Sequence, residues 1–176
     1  MRRFCPVLLV LLIPASAQAH FHKANAYAGI SIVSGSTLVG VHGTVDFPVP
    51  TGPPPDPAPK DGRRLKDLSL VADLSTHWGS DDASQVNFMG GVRYTFATRP
   101  DQRSLPFVQV LLGGSRTSRT GLSDTDPSLA VGAGIEHMLT DDLDAGWGVR
   151  VQLDYIVRPG DVAPRFSAGV VKRIAR

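Results

Sequence analysis

Cysteine is almost absent from this 176-residue chain, and its one occurrence, Cys5, lies near the N-terminus, just before a short apolar run. Two arginines near the start are followed by a short apolar run at residues 7–13 and by small residues at 15–19 that fit a cleavage site. The apolar run is too short to cross a bilayer as a helix. We therefore predict a cleaved signal peptide at residues 1–19. The mature chain, residues 20–176, is expected to be one domain without disulfides or a reactive thiolate.

Net charge is also lacking once this segment is removed. The whole chain carries 18 Lys and Arg against 16 Asp and Glu, and two of the arginines, Arg2 and Arg3, belong to the predicted signal. The mature chain is therefore close to neutral. Without a basic excess the electrostatic basis for binding nucleic acid is missing, so no nucleic-acid partner is expected.

Helical periodicity is the third absence, because no stretch after residue 19 repeats apolar residues every 3.6 positions. Apolar and polar residues alternate instead, and Gly, Pro, Asp, Ser and Thr clusters separate the alternating stretches. Transmembrane strands need about 9–11 residues each, which matches the length of these stretches. The predicted strands are residues 24–34, 38–49, 67–78, 85–97, 105–115, 128–139, 144–158 and 164–174.

The alternation is clearest in residues 144–158, where odd positions are apolar and most even positions are polar, charged or glycine. Trp147 and Tyr155 lie near the two ends of the apolar face. Eight residues of tilted strand span roughly 20 Å along a membrane normal, close to the ~25 Å between the aromatic girdles of outer-membrane barrels. We predict a membrane girdle that includes these two residues together with Trp78 and Tyr94.

Alternation alone fits a soluble barrel with an apolar core or a membrane barrel with an apolar exterior. Three features favour the membrane barrel. The polar face is rich in glycine and carries both signs of charge, as a narrow lumen requires; aromatic residues lie near strand ends; and an export signal is present. The predicted fold class is all-β, an eight-stranded antiparallel up-and-down transmembrane β-barrel. A soluble lipocalin-like carrier is the alternative.

Six charged residues fall on the predicted inward faces of five strands. An eight-stranded barrel is just wide enough for side chains to fill its interior. We therefore expect these residues to pair as a buried network that blocks the continuous passage of water. Asp46 and Arg173 lie on the same charged face. The predicted lumen charge network consists of Asp73, Arg93, Glu136, Arg150, Asp154 and Arg165.

The connections are predicted from their composition. Residues Pro48–Asp61 include seven prolines and cannot form a strand ladder, so the Pro-rich loop 48–66 is expected as a semi-rigid periplasmic connection. Outer loops are expected at residues 79–84, 116–127 and 158–163, and periplasmic ones at Thr98–Ser104 and Thr140–Asp142.

Several of these stretches are familiar in their order and spacing. They are LSLVADLSTHWG (68–79), FMGGVRYTF (88–96), LPFVQVLLGGSRTS (105–118), residues 130–157 and RFSAGVVKRI (165–174). They resemble the outer-membrane β-barrel domain of small porin-like, OmpA-like and OmpW-like proteins. The resemblance implies eight strands, periplasmic termini and location in the outer membrane of a Gram-negative cell. It also implies outer-membrane lipid and the barrel-assembly machinery as partners, and no particular reaction.

Two features depart from that family. Such barrels usually end in an aromatic residue that the assembly machinery recognises, whereas this chain ends Ile174-Ala175-Arg176. The proline-rich segment is not typical of the family either. These departures bear on the assembly route and on strand pairing around residues 48–66.

No constellation in the sequence predicts a metal, a cofactor or an active site. His20 and His22 lie at the expected mature N-terminus, and His42, His77 and His137 lie on separate predicted strands without zinc-ligand spacing. We therefore expect no metal and no cofactor.

A lipid A-modifying barrel would need a nucleophilic serine paired with a histidine and an acid. Ser75 and His77 share an inward face, but the surrounding residues of the known deacylase motif are missing. We expect no enzyme. The predicted function is a structural or surface-interaction role for a monomer with an extracellular partner. A narrow channel, a carrier of small hydrophobic ligands and a lipid A-modifying enzyme are the alternatives.

Overall fold

The computed structural model describes residues 23–33, 38–49, 67–79, 83–96, 102–119, 122–141 and 145–175, and these residues form eight strands. The strands are β1 (Lys23–Val33), β2 (Leu38–Pro48), β3 (Asp67–Trp78), β4 (Ser84–Thr95), β5 (Ser104–Arg119), β6 (Leu122–Met138), β7 (Trp147–Arg158) and β8 (Asp161–Ala175). Each strand pairs antiparallel with the next, and β8 pairs with β1 to close the barrel. The predicted fold class is confirmed. Among the described residues, no helix is long and apolar enough to cross a membrane.

The alternation that predicted the strands also sets their two faces. Along β7 the exposed and buried side chains alternate without a break from Trp147 to Val157. Successive side chains of a strand point to opposite faces, so odd residues of β7 face outward and even residues face the lumen. In β1, Ile30 and Ile32 face outward, since both side chains are exposed.

The barrel is strongly staggered. One register row runs from Pro48 through Ser69, Arg93, Gln109, Gly132, Asp154 and Arg165 to Val33. Because Asp46 pairs with Asn25, Pro48 lies level with residue 23 of β1. The row that starts at this level therefore returns to β1 at Val33, ten residues further along the strand. With ~3.3 Å per residue and ~4.8 Å between strands, this stagger requires a strand tilt of about 40°.

The predicted outer loop at residues 116–127 is wrong. Most of it continues β5 and β6 as a paired hairpin, with register kept up to Arg119 opposite Leu122. β7 pairs with β6 only from Leu129, so this hairpin projects beyond the other strands at what we call the outer end. Apart from Leu122 and Pro127, its described residues are polar on both faces, because a segment beyond the apolar exterior has no apolar face to produce the alternation.

The loop predicted at residues 158–163 is also wrong, because the connection shortens to a turn at Pro159 and Gly160. Arg158 and Asp161 are paired across the two strands and form an ion pair. Gly160 has a φ of 77°, a backbone conformation that glycine adopts without steric penalty. The predicted signal peptide and nearly all of the Pro-rich loop 48–66 lie outside the described residues.

Candidate functional site: the charged lumen

Arg150 is the centre of a buried ion cluster near the inner end of the barrel. The inner end is the end at which β1 begins and β8 ends. Its Nε and Nη2 donate to Glu136 Oε2 over 3.1 and 2.7 Å. Nη2 also donates to Asp46 Oδ2 over 2.9 Å, and Nη1 donates to Thr44 Oγ1 over 2.9 Å. Four side chains from β2, β6 and β7 are thereby joined across the lumen.

Two further arginines complete this inner cluster. Arg93 forms an ion pair with Asp46. Arg173 donates through Nε to Glu136 Oε1 over 2.8 Å, so the glutamate is held by arginines on both oxygens. Charge-assisted hydrogen bonds of this kind are the strongest that side chains make, and here they connect β2, β4, β6, β7 and β8.

A second cluster, the outer cluster, lies farther up the lumen around Arg165. Its Nη1 and Nη2 donate to the two carboxylate oxygens of Asp73 over 2.9 and 3.0 Å, and Nη2 also donates to Asp154 Oδ2 over 2.8 Å. His42 Nε2 contacts Asp73 Oδ2 at 2.6 Å. Arg165 thus binds Asp73 through two parallel hydrogen bonds and also contacts Asp154. The planar guanidinium group of arginine allows this arrangement.

Gln109 joins the two clusters. Its Oε1 accepts from Arg93 Nε and Nη2 over 3.0 and 2.6 Å, and its Nε2 donates to Asp154 Oδ1 over 2.7 Å. The amide therefore offers its acceptor to a cation and its donor to an anion. The connected network contains four arginines and four acids, so its formal charges balance.

All six residues of the predicted lumen charge network are buried, and all lie in these two clusters. The prediction left Asp46 and Arg173 out of the network, although both had been placed on the charged face. It also missed the roles of Gln109 and His42. For Asp46 the signal was available, since it is a carboxylate on the inward face of a predicted strand.

Aromatic side chains pack against the arginines of the inner cluster. The Arg93 guanidinium carbon lies 4.3 Å from the centre of the Phe107 ring, and that of Arg150 lies 5.0 Å from the Tyr27 ring. Arginine stacks favourably on aromatic faces. The rings therefore fill the space around the ion pairs as well as stabilising the cations.

One patch of the lumen wall is apolar. A cluster of buried side chains follows adjacent strands from β3 to β7 and consists of Val71, Met89, Leu111, Ala130 and Ile156. A second cluster at the outer mouth joins Val33, Leu38 and Ala163, with Ala83 packed against it. The lumen thus holds the ion network together with an apolar patch and an apolar cluster at the outer mouth.

The predicted girdle residues all lie on outward-facing positions near strand ends. Tyr94 and Trp147 are at the inner end, and Trp78 and Tyr155 are at the outer end. Trp147 is 52% exposed, and Lys172 Nζ lies 5.0 Å from its ring centre. Contact with a membrane remains a prediction for these four side chains.

Ser75 and His77 both point inward but do not bond to each other. His77 Nε2 lies 2.7 Å from Ser31 Oγ, whereas Ser75 Oγ accepts from Arg165 and from Asn87. All of these side chains are buried. Within the described ranges, no group of three or more His, Cys, Asp or Glu is placed to hold a metal ion. His137 bonds with Ser104 at the exposed inner rim.

No protein-family model matches the chain, and no curated protein sequence matches it. Solved structures do match. The N-terminal β-barrel domain of Pseudomonas aeruginosa OprF has a TM-score of 0.60 at 14% identity, with 88% of this chain and 98% of that one covered. Neisserial surface protein A (NspA) has a TM-score of 0.51 at 17% identity, covering 85% and 95%.

The outer membrane protein Ail of Yersinia pestis, solved in a phospholipid bilayer nanodisc, has a TM-score of 0.52 at 9% identity, with 87% of this chain and 99% of that one covered. At these identities the likeness concerns the fold. The resemblance predicted from the sequence is confirmed at that level: this chain is an eight-stranded barrel with the architecture of the OprF N-terminal domain, NspA and Ail.

Proposed function

We propose that this chain is an outer-membrane β-barrel protein with a structural or surface-interaction role, and that its lumen is closed to solutes. The observation that carries the proposal is the charge-balanced network of buried arginines and acids that crosses the lumen.

The polarity of the barrel wall supports the membrane location. Large apolar side chains are exposed on the exterior of all eight strands, while arginines and carboxylates are buried inside. A continuous apolar exterior is unfavourable in water, whereas lipid is the solvent that such a surface requires. A soluble barrel would place the two classes of side chain the other way round.

The density of the network supports closure. Arg150, Arg165 and Asp154 are essentially inaccessible to solvent, and each is held by more than one ion pair or hydrogen bond. An interior of eight strands leaves little width beyond its own side chains. A solute would therefore have to separate buried ion pairs in order to pass.

The projecting β5–β6 hairpin supports a role at the surface. It extends the barrel beyond the other strands, and its exposed residues include Arg116, Leu122 and Asp124. It is the part of the described chain placed farthest from the inner end. A partner outside the cell would meet this hairpin first.

The location is tested by fractionation together with heat-modifiable migration of the detergent-extracted protein. We expect the chain to pellet with outer membranes and to migrate as a compact band until boiled. Recovery in the soluble fraction would contradict the proposal.

Closure is tested by conductance in planar lipid bilayers. The unsubstituted barrel should give no discrete current steps. An Arg150→Ala variant that still shows a heat-modifiable band should be more permeable, because it removes the centre of the inner cluster. Regular current steps from the unsubstituted protein would favour the narrow-channel alternative instead.

The proposal includes the absence of enzymatic activity. Lipid A extracted from cells with and without the protein should give identical mass spectra. A loss or gain of one acyl chain would overturn this part of the proposal and leave the barrel unaffected.

A further inference from the structure

The wall of the lumen formed by β8, β1 and β2 differs from the strands that carry the apolar patch. Its inward positions include three glycines, and no side chain extends from it there. Gly29 pairs with both Gly169 and His42, and Gly40 pairs with Ser31. We call the part of the lumen wall at Gly29, Gly40 and Gly169, where three neighbouring strands present no side chain, the glycine slot.

Tyr27 occupies the inner end of the slot. A Cβ at Gly29 would lie 2.4 Å from the Tyr27 hydroxyl oxygen, so the hydroxyl lies directly over this glycine. The ring lies between the two ion clusters. It is 5.0 Å from the Arg150 guanidinium carbon and meets the His42 ring edge to face, with 5.2 Å between the ring centres. Tyr27 is therefore the large side chain that separates the slot from the inner cluster.

Buried polar side chains border the same slot, and several of their atoms have no hydrogen-bond partner among the described residues. Gln152, Ser167 and Ser31 lie side by side in one register row of β7, β8 and β1, and the Ser31 hydroxyl contacts His77. Five buried side-chain atoms of this region have no hydrogen-bond partner among the described residues. They are Tyr27 Oη, His42 Nδ1, His77 Nδ1, Gln152 Oε1 and Ser167 Oγ.

An unpaired buried polar atom is unfavourable, and native proteins satisfy such atoms with protein groups or ordered water. A polar space with several donors and acceptors is where buried water is found, typically making about three hydrogen bonds per molecule. We propose that the glycine slot is a binding site for buried water, and that Tyr27 closes it toward the inner end.

The outer end of the slot has its own closure. Val33 and Leu38 lie beyond Ser31 and Gly40 on the same two strands, and they pack with Ala163 at the outer mouth. Apolar constrictions resist wetting. The water site is thus a chamber between an apolar cap and the Tyr27 ring. This inference rests on the closed barrel proposed above and adds the ligand, water, and the residue that retains it.

Hydration is tested on the unsubstituted protein in detergent micelles by NMR. We expect rotating-frame cross-peaks between water and the ring protons of His77 and Tyr27, persisting because buried water exchanges slowly. Their absence, with the barrel's other resonances intact, would overturn the water site. That outcome is distinct from failure of the closed barrel, which appears as current steps from the same unsubstituted protein.

The role of Tyr27 is tested by thiol labelling of a Ser167→Cys chain with methyl methanethiosulfonate, a small neutral reagent. Adding Tyr27→Ala should raise the labelling rate by about tenfold or more, equivalent to ~1.4 kcal/mol in the barrier. Tyr27→Phe, which keeps the ring, should leave the rate unchanged. The unsubstituted chain, whose sole cysteine is Cys5, gives the background.

Equal labelling rates for the Ser167→Cys chain with Tyr27 retained, with Tyr27→Phe and with Tyr27→Ala would overturn the closure by this side chain. If Tyr27→Ala prevents folding, Tyr27→Leu replaces it, because leucine keeps apolar volume but is too short to cover Gly29. The same rate comparison then applies.

Discussion

The two faces of β7 place neighbouring residues in opposite surroundings. Arg150 and Asp154 are buried in ion pairs, while Val151 and Leu153, directly beside them in sequence, are about 40% exposed on the exterior. The inward face depends on specific partners at defined distances, whereas the outward face depends only on being apolar. Substitutions should therefore act through lost partners on one face and through lost compatibility with lipid on the other.

The largest effect is expected from Arg150→Met, which leaves Glu136 and Asp46 buried without one of their cations. Breaking a buried ion pair on one side costs about 3–5 kcal/mol. The measurement is the free energy of unfolding from a urea titration in detergent or vesicles. Unfolding is monitored by the loss of the heat-modifiable band.

Arg103→Met is the matched control, because Arg103 pairs with Asp141 at the rim with side chains 50% and 92% exposed. Exposed ion pairs contribute little to stability, so the free energy of unfolding of this variant should be close to that of the unsubstituted chain. Equal losses of stability for the two variants would show that the buried lumen network stabilises the barrel no more than an exposed ion pair does.

On the exterior, Leu153→Arg should destabilise the inserted barrel by about 2–4 kcal/mol, the cost of a cation facing lipid near the bilayer midplane. The effect should appear in lipid vesicles. Leu122→Arg is the control, because Leu122 is 80% exposed on the projecting hairpin. A similar loss for both would contradict the assignment of the exterior to lipid.

A smaller effect is expected from Gln109→Leu, which removes the amide that joins the two ion clusters. It leaves hydrogen-bonding capacity on Arg93 and Asp154 unused, and such a loss costs about 1–3 kcal/mol. Unfolding in urea measures it. If Gln109→Leu is neutral, the clusters are independent and the amide is not a structural link.

The smallest effect should come from Lys172→Met, which keeps an apolar stem but removes the cation over the Trp147 ring. Cation–π contacts at exposed sites contribute about 0.5–1 kcal/mol. Tryptophan fluorescence of a chain in which Trp78→Phe leaves Trp147 as the reporter should shift with the substitution. An unchanged spectrum would mean that the contact is not populated.

The strand centres could be predicted because one face of each had to be apolar, which imposes a period of two on the sequence. The same reasoning failed in the projecting β5–β6 hairpin, where neither face of the strands has to be apolar. Residues 116–119 and 123–126 are polar on both faces. Backbone pairing across the hairpin, which leaves no pattern in the hydropathy of the sequence, decides their structure.

Partners within the lumen were predictable as a group but not as pairs. Facing inward follows from alternation, whereas contacts such as Arg150 with Asp46 depend on the stagger of the barrel and on strands far apart in the chain. Gln109 was visible as a lone polar residue in an apolar stretch. Its role as a bridge required the positions of both clusters.

The turn at Pro159 and Gly160 has a consequence for the order in which the barrel is built. The entropy lost on closing a loop grows with the number of residues enclosed. The β7–β8 and β5–β6 pairings each enclose two residues and are therefore entropically the easiest to form. The β1–β8 pairing encloses almost the entire described chain and is the hardest. Assembly should therefore begin at these two hairpins and finish at the seam between the first and last strands.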